Sequence, residues 1–233
     1  MKTRRFGRTG LAISEITYGG GWVGGYIIRA GEAERHTILN RALHAGINWV
    51  DTAALYGNGA SETVLGQWLP TVPANRRPRL STKFNVDVTA GDFKGQIEAS
   101  VKASLARLKL PRVEVLILHN RVVDEGRKDR DPRSLHPAEV LGRGGIADIM
   151  DGLRRAGLCD WIGLTGLGDP AALAQVVGSG RFDVMQGYYN LLNPSGVMPT
   201  GPGWSSTDFN GLLKLARAKD VGVMGIRIFA AGH

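Results

Sequence analysis

A chain of 233 residues, 43% hydrophobic and 21% charged, has the composition of an ordinary globular protein with a sizeable core. Its net charge of +8 and pI near 9.9 favour anionic ligands, but lysine and arginine are scattered along the chain, which excludes a nucleic-acid face and leaves a phosphate-bearing small molecule. One cysteine, Cys159, excludes an intrachain disulfide and points to a reducing, cytoplasmic setting, while no apolar run approaches a membrane span and the basic residues 1–10 lack the apolar stretch of a secretory signal.

Short runs that are apolar on both faces alternate with longer amphipathic stretches. Strands are predicted at 16–18, 47–50, 79–82, 113–118, 161–164, 183–185 and 221–226. Such runs belong to a parallel sheet covered on both faces. The helices between them are marked by their ends: 32–45 stops at Gly46, 92–108 is followed by Pro111, and Asp169-Pro170 reads as an N-cap with proline at the first helical position. Further helices fit 61–69, 145–156 and 207–219. Residues 121–143, rich in charge and proline and without a period, are expected to fold over the site as a lid.

This alternation gives either a doubly wound sheet or a (β/α)8 TIM barrel. A barrel brings every strand end to one mouth, whereas a doubly wound sheet gathers its ligand groups at a single switch point. Here Val50 is followed by Asp51, Thr82 by Lys83, Leu118 by His119, Leu164 by Thr165, Met185 by Gln186 and Ile226 by Arg227. The pattern favours the barrel. Only seven strands are found where closure takes eight, so one barrel domain over 1–233, incomplete at its C-terminus, is expected.

Asp51, Tyr56, Lys83 and His119 follow consecutive strands and can meet at one spot. Taken singly, each has an ordinary structural use; together they suit carbonyl reduction. Protonating an alkoxide needs an acid stronger than a free tyrosine of pKa about 10, and a cation about 4 Å away supplies roughly 4 kcal/mol toward that at an effective dielectric near 20. Lys83 is the cation, Asp51 keeps it protonated, and His119 either shares that role or orients the substrate carbonyl.

At these residues the chain resembles the aldo-keto reductase superfamily. GINWVDTAALYGNGASETVLGQWL (46–69) is similar to its first signature, with Asp51 and the catalytic Tyr56. SVKASLARLKLPRVEVLILHN (100–120) is similar to its second, ending in His119, and Lys83 in LSTKF matches the catalytic lysine. The opening RRFGRTGLAISEITYGGG resembles the family's N-terminal hairpin and first strand. The resemblance implies a metal-free barrel that binds NADPH, with NADH as the alternative, and transfers its hydride to an aldehyde or ketone. It implies nicotinamide contacts at Thr165, Gly166 and Gln186, a backbone turn at Gly20 and Gly21 near the cofactor, and further contacts at Asp51 and at Ile226, Arg227, Ile228 and Phe229. Gly166 stands where an asparagine is usual, and Ile226 where many members stack an aromatic ring. A small carbonyl or sugar is the implied partner, with oligomeric state left open. The alternatives are an aldose dehydrogenase of the same family and a truncated, non-catalytic cofactor-binding relative.

Overall fold

The computed structural model describes residues 1–21, 25–126 and 131–230. An antiparallel hairpin, β1 (Thr3–Arg5) with β2 (Ala12–Ser14), opens the chain. It is followed by β3 (Tyr18–Gly19), the short helix α1 (Tyr26–Arg29), α2 (Glu32–His44) and β4 (Trp49–Asp51). Next come α3 (Ala60–Trp68), β5 (Arg79–Phe84), α4 (Phe93–Leu108) and β6 (Val113–Leu118). A small insertion holds β7 (Arg121–Val122), β8 (Ser134–Leu135) and α5 (Pro137–Leu141). The chain then runs through α6 (Ile146–Arg155), β9 (Cys159–Thr165), α7 (Pro170–Gly178), β10 (Val184–Tyr188), α8 (Leu212–Ala218) and β11 (Gly222–Ile226).

Seven strands form one parallel sheet in the order β11-β10-β9-β6-β5-β4-β3. Every neighbour in the sheet is the next sheet strand in sequence, so the order never reverses. A doubly wound sheet needs such a reversal; a sheet that keeps one direction curls around itself as a barrel wall. The helices cover its outer face with one large apolar layer, which includes Leu65, Ile97, Leu108, Met150 and Val176. A separate inner cluster of Trp49, Val115, Ile117, Val184 and Met224 fills the concave side. Phe6 and Ile13 of the hairpin region close that cluster, with the Phe6 and Trp49 rings edge to face at 5.3 Å.

Local chemistry sets the ends of the elements. Asp92 caps α4 by accepting from the Gly95 N–H at 3.0 Å, and Gly46, at φ +88°, turns the chain after α2. Asp169 occupies the N-cap position of α7 but makes no cap hydrogen bond; its carboxylate accepts from the Asp124 N–H instead. Three further expectations are corrected. The first sheet strand is β3, later than 16–18, and Ile16 is exposed. Helix α8 begins at Leu212 and not at 207, because Asn210 and Gly211 both take positive φ. Residues 121–126 and 131–143 carry packed structure: Val122, Val123, Leu135 and Val140 are buried, and β7 pairs with β8. These apolar residues anchor the segment against the end of β9, where Asp169 N–H donates to Val122 C=O. Residues 127–130 of the expected lid lie outside the described residues.

Candidate active site

Asp51 ends β4, Lys83 lies on β5, His119 follows β6, Thr165 ends β9 and Gln186 lies on β10. Parallel pairing brings all of them to the same end of the sheet. Tyr56 arrives from the turn after β4, where Gly57, Asn58 and Gly59 take positive φ in succession and lead the chain into α3. A Cβ on Gly57 would press against Ile28 and Ala60 at 3.1 Å, so this turn has little room for any other residue.

Lys83 is the centre of the site. Its side chain is fully buried, and Nζ donates to Asp51 Oδ2 at 2.6 Å, Thr52 C=O at 2.9 Å and Tyr56 Oη at 2.9 Å. Those three acceptors use all three ammonium N–H groups. Burial alone would pull the lysine pKa down, but the Asp51 carboxylate and Tyr56 outweigh it and hold it above the ordinary value. Lys83 is therefore a fixed cation.

His119 packs its ring edge to face with Tyr56 at 5.8 Å. Burial, and then the Lys83 charge, push its pKa down to about 4 against a smaller upward pull from Asp51. The imidazole is neutral near pH 7. The sequence leaves open how Lys83 and His119 share the positive field; in the folded chain Lys83 carries it alone.

Two contributing residues were missed by sequence reasoning. Ser81 Oγ donates to Asp51 Oδ1 at 2.6 Å, and Trp49 Nε1 donates to Ser81 Oγ at 3.1 Å. Both carboxylate oxygens are thus held before any substrate arrives. The signal for Ser81 was present: it lies two residues before Lys83, hence on the same face of β5, as a polar residue in an apolar strand.

Glycines surround this centre closely. A Cβ on Gly21 would lie 3.1 Å from the Tyr56 ring, and one on Gly20 would lie 2.6 Å from Ser61 Oγ. A Cβ on Gly166 would fall 2.8 Å from Gln186 C=O, the group that accepts from the Gly166 N–H at 2.7 Å. No asparagine fits at Gly166 without moving β10. Thr165 and Gln186 are paired in register and both buried. Asp51, Gln186, Ile226 and Ile228 line one cavity of about 390 Å3 between β11 and β3. Phe229 is 89% exposed, and Arg227, at φ +59°, lines a different recess. A larger cavity of about 1000 Å3 lies between α4 and α6 on the outer face, away from Tyr56 and Lys83. Cys159 sits at the opposite end of β9, where burial pushes its thiol up to about 12 and leaves it unreactive.

A profile described as the aldo/keto reductase family matches residues 15–233. The chain belongs to the aldo/keto reductase family. L-galactose dehydrogenase of Arabidopsis thaliana is 28% identical over 169 residues, 72% of this chain and 49% of that protein. D-threo-aldose 1-dehydrogenase of a Pseudomonas species is 35% identical over 135 residues, 48% of this chain and 41% of that protein. A solved aldo/keto reductase from Klebsiella pneumoniae, in complex with NADP and acetate, superposes over 97% of this chain and 68% of its own, with a TM-score of 0.69 at 21% identity. The chain spans about half the length of these curated relatives. The barrel wall deduced from strand order is the wall of the family's (β/α)8 fold.

A nicotinamide cofactor of the kind that relative holds can be tested against the residues present. Thr165 Oγ1 is buried with no hydrogen-bond partner among the described residues, next to the buried amide of Gln186. A carboxamide offers a donor and an acceptor to such a pair. Gly21 has no side chain to press on the Tyr56 ring, which a Cβ there would meet at 3.1 Å. The donor set fits the group.

Proposed function

We propose that this chain is the catalytic barrel of an NADP(H)-dependent oxidoreductase that reduces an aldehyde or ketone, with Tyr56 as proton donor. The observation that carries this reading is the hydrogen bond from Lys83 Nζ to Tyr56 Oη. An ammonium only donates, so the phenol oxygen accepts and the tyrosine keeps its own proton for another partner. No acceptor for that proton lies among the described residues.

Thr165 and Gln186 would hold the carboxamide, Gly21, preceded by Gly20, would admit the ring beside Tyr56, and Ile226 and Ile228 wall the cavity below. When bound, the dihydronicotinamide supplies a hydride to the carbonyl carbon. The π pair of the C=O bond moves onto oxygen, and that oxygen takes the Tyr56 proton. The phenolate left behind faces the Lys83 ammonium, an attraction on the order of 4 kcal/mol for unit charges 4 Å apart at an effective dielectric near 20. Neutral His119 donates a hydrogen bond to the carbonyl oxygen and fixes its direction. The net charge of +8 favours the phosphorylated NADPH over NADH. Replacing Tyr56 by Phe tests the reading: aldehyde turnover falls by about 10²–10⁴, the range of general acid catalysis, while NADPH binding followed by fluorescence stays the same. Unchanged turnover overturns it.

A second reading is oxidation of an aldose at the same site, favoured by the names of the two dehydrogenase relatives. The groups are then used in reverse, with the Tyr56 oxygen accepting the sugar hydroxyl proton. A panel of aldoses with NADP+ and NAD+, set against aldehydes with the reduced cofactors, separates the two by which direction is faster.

A further inference from the structure

A buried carboxylate on the outer side of the sheet ties the turn that carries Tyr56 to the strand that carries Lys83. Glu62 lies in the first turn of α3 and is fully buried. Its Oε1 accepts from Thr82 Oγ1, and its Oε2 lies 2.7 Å from both Nε and Nη2 of Arg107 on α4. Thr82 immediately precedes Lys83 on β5, so the two side chains leave the strand on opposite faces. Lys83 meets Tyr56 on one face, and Thr82 meets Glu62 on the other.

The same arginine backs the turn itself. Its side chain lies against bare backbone at Gly59, where a Cβ would fall 2.6 Å from Arg107 Cδ. A Cβ on Gly66 would fall 2.0 Å from Arg107 C=O, so that glycine lets α4 approach α3 closely enough for the guanidinium to reach Glu62. The first turn of α3 passes the contact on to Tyr56. Ser61 N–H donates to Tyr56 C=O at 3.2 Å, and Thr63 N–H donates to Gly59 C=O at 2.9 Å. Ser61 Oγ also shares a 2.8 Å hydrogen bond with Thr52 Oγ1, and Thr52 C=O is one of the three acceptors of Lys83. Desolvation offsets much of the attraction in a buried ion pair, so net stability is a weak reason for this one. Its place between Tyr56 and Lys83 supplies a better one.

We propose that Arg107 and Glu62 are positioning residues, which from outside the sheet set the place of the Tyr56 phenol beside Lys83 for proton transfer. This rests on the carbonyl-reduction reading of Tyr56. Arg107→Met is compared with the wild type on butanal at saturating NADPH, at a temperature where circular dichroism shows both folded. Its kcat falls about 10–100-fold, the effect of a misplacement near 1 Å, while KM for butanal and NADPH affinity stay within about twofold. In a Tyr56→Phe background the same substitution changes the residual turnover by less than about twofold, because the proton it positions is gone. An unchanged kcat, a loss in KM or NADPH affinity, or a loss that carries undiminished into Tyr56→Phe each overturns the proposal, since a general loosening of the fold acts in both backgrounds. Should Arg107→Met not fold, Arg107→Lys, which keeps a cation beside Glu62 but not the planar fork, is read in its place. Its kcat then falls about threefold or more in the same pattern, and a wild-type kcat overturns the proposal. Fluorine NMR of protein labelled with 3-fluorotyrosine separates the two levels. If the wild type reduces no aldehyde, the carbonyl reading fails, and a Tyr56 resonance that moves in the Arg107 variant while those of Tyr188 and Tyr189 stay still supports the positioning. A Tyr56 resonance that does not move overturns it.

Discussion

Lys83 donates to the phenol oxygen of Tyr56 across 2.9 Å, and the reverse arrangement is barred because an ammonium has no lone pair. The direction of this bond depends on charge, and the charge depends on Asp51 at 2.6 Å. Fold stability and the proton delivery proposed for Tyr56 therefore meet in one buried ion pair.

Lys83→Met separates the two. It leaves Asp51 with Ser81 alone, and removing one partner of a buried pair costs about 3–5 kcal/mol. Replacing both partners, as Lys83→Met with Asp51→Leu, is expected to recover most of that stability, since no uncompensated charge remains, yet turnover stays lost. Urea unfolding of the two single variants and the double variant gives the coupling. If the double variant is as unstable as the sum of the singles, the pair is not the unit described here.

Ser81→Ala tests the support behind the pair. It removes one hydrogen bond from Asp51 and strands the buried Trp49 Nε1, at a cost of about 1–3 kcal/mol. Adding Trp49→Phe takes away the stranded donor and is expected to return part of the loss. Thermal unfolding of both variants reads this directly, and no recovery would mean the indole N–H had found another acceptor.

Strand order, the seven-strand count and the residues that meet at Lys83 were legible because each rests on a local signal: an apolar run, a polar residue at its end, a glycine after a helix. The charge state of His119 was not, since it depends on burial by distant elements and on the field of Lys83. Residues 121–143 misled for a related reason. Among the described residues of this stretch, Val122, Val123 and Leu135, too few to make a period, decide the packing. The absence of a side chain at Gly166 reads as a lost contact in sequence and as a steric requirement in the fold.

Gly166→Asn turns that requirement into a measurement. The new Cβ meets Gln186 C=O at 2.8 Å, and a backbone acceptor cannot swing aside as a side chain can. Overpacking of this kind costs about 1–3 kcal/mol. A lower urea midpoint with an unchanged slope is expected, and a variant as stable as the wild type would show that β9 and β10 have slack at this point.

His119 makes stability depend on pH in a definite direction. Its pKa falls from the ordinary 6.5 to about 4 on folding, so between those values the unfolded chain binds a proton that the folded chain refuses. The stabilisation is complete above about pH 6.5 and is lost as pH falls toward 4. The shift corresponds to about 2 kcal/mol lost between pH 7.5 and 5, and about 3 kcal/mol in all below pH 4. His119→Gln puts a neutral side chain at the position, so its unfolding free energy is expected to fall less on acidification by those amounts, carboxylate contributions being common to both proteins. Urea unfolding of the pair at pH 7.5, 6 and 5 measures the difference. Parallel curves would mean that the imidazole protonates in the folded chain as readily as in the unfolded one, and that its neutrality beside Lys83 is wrong.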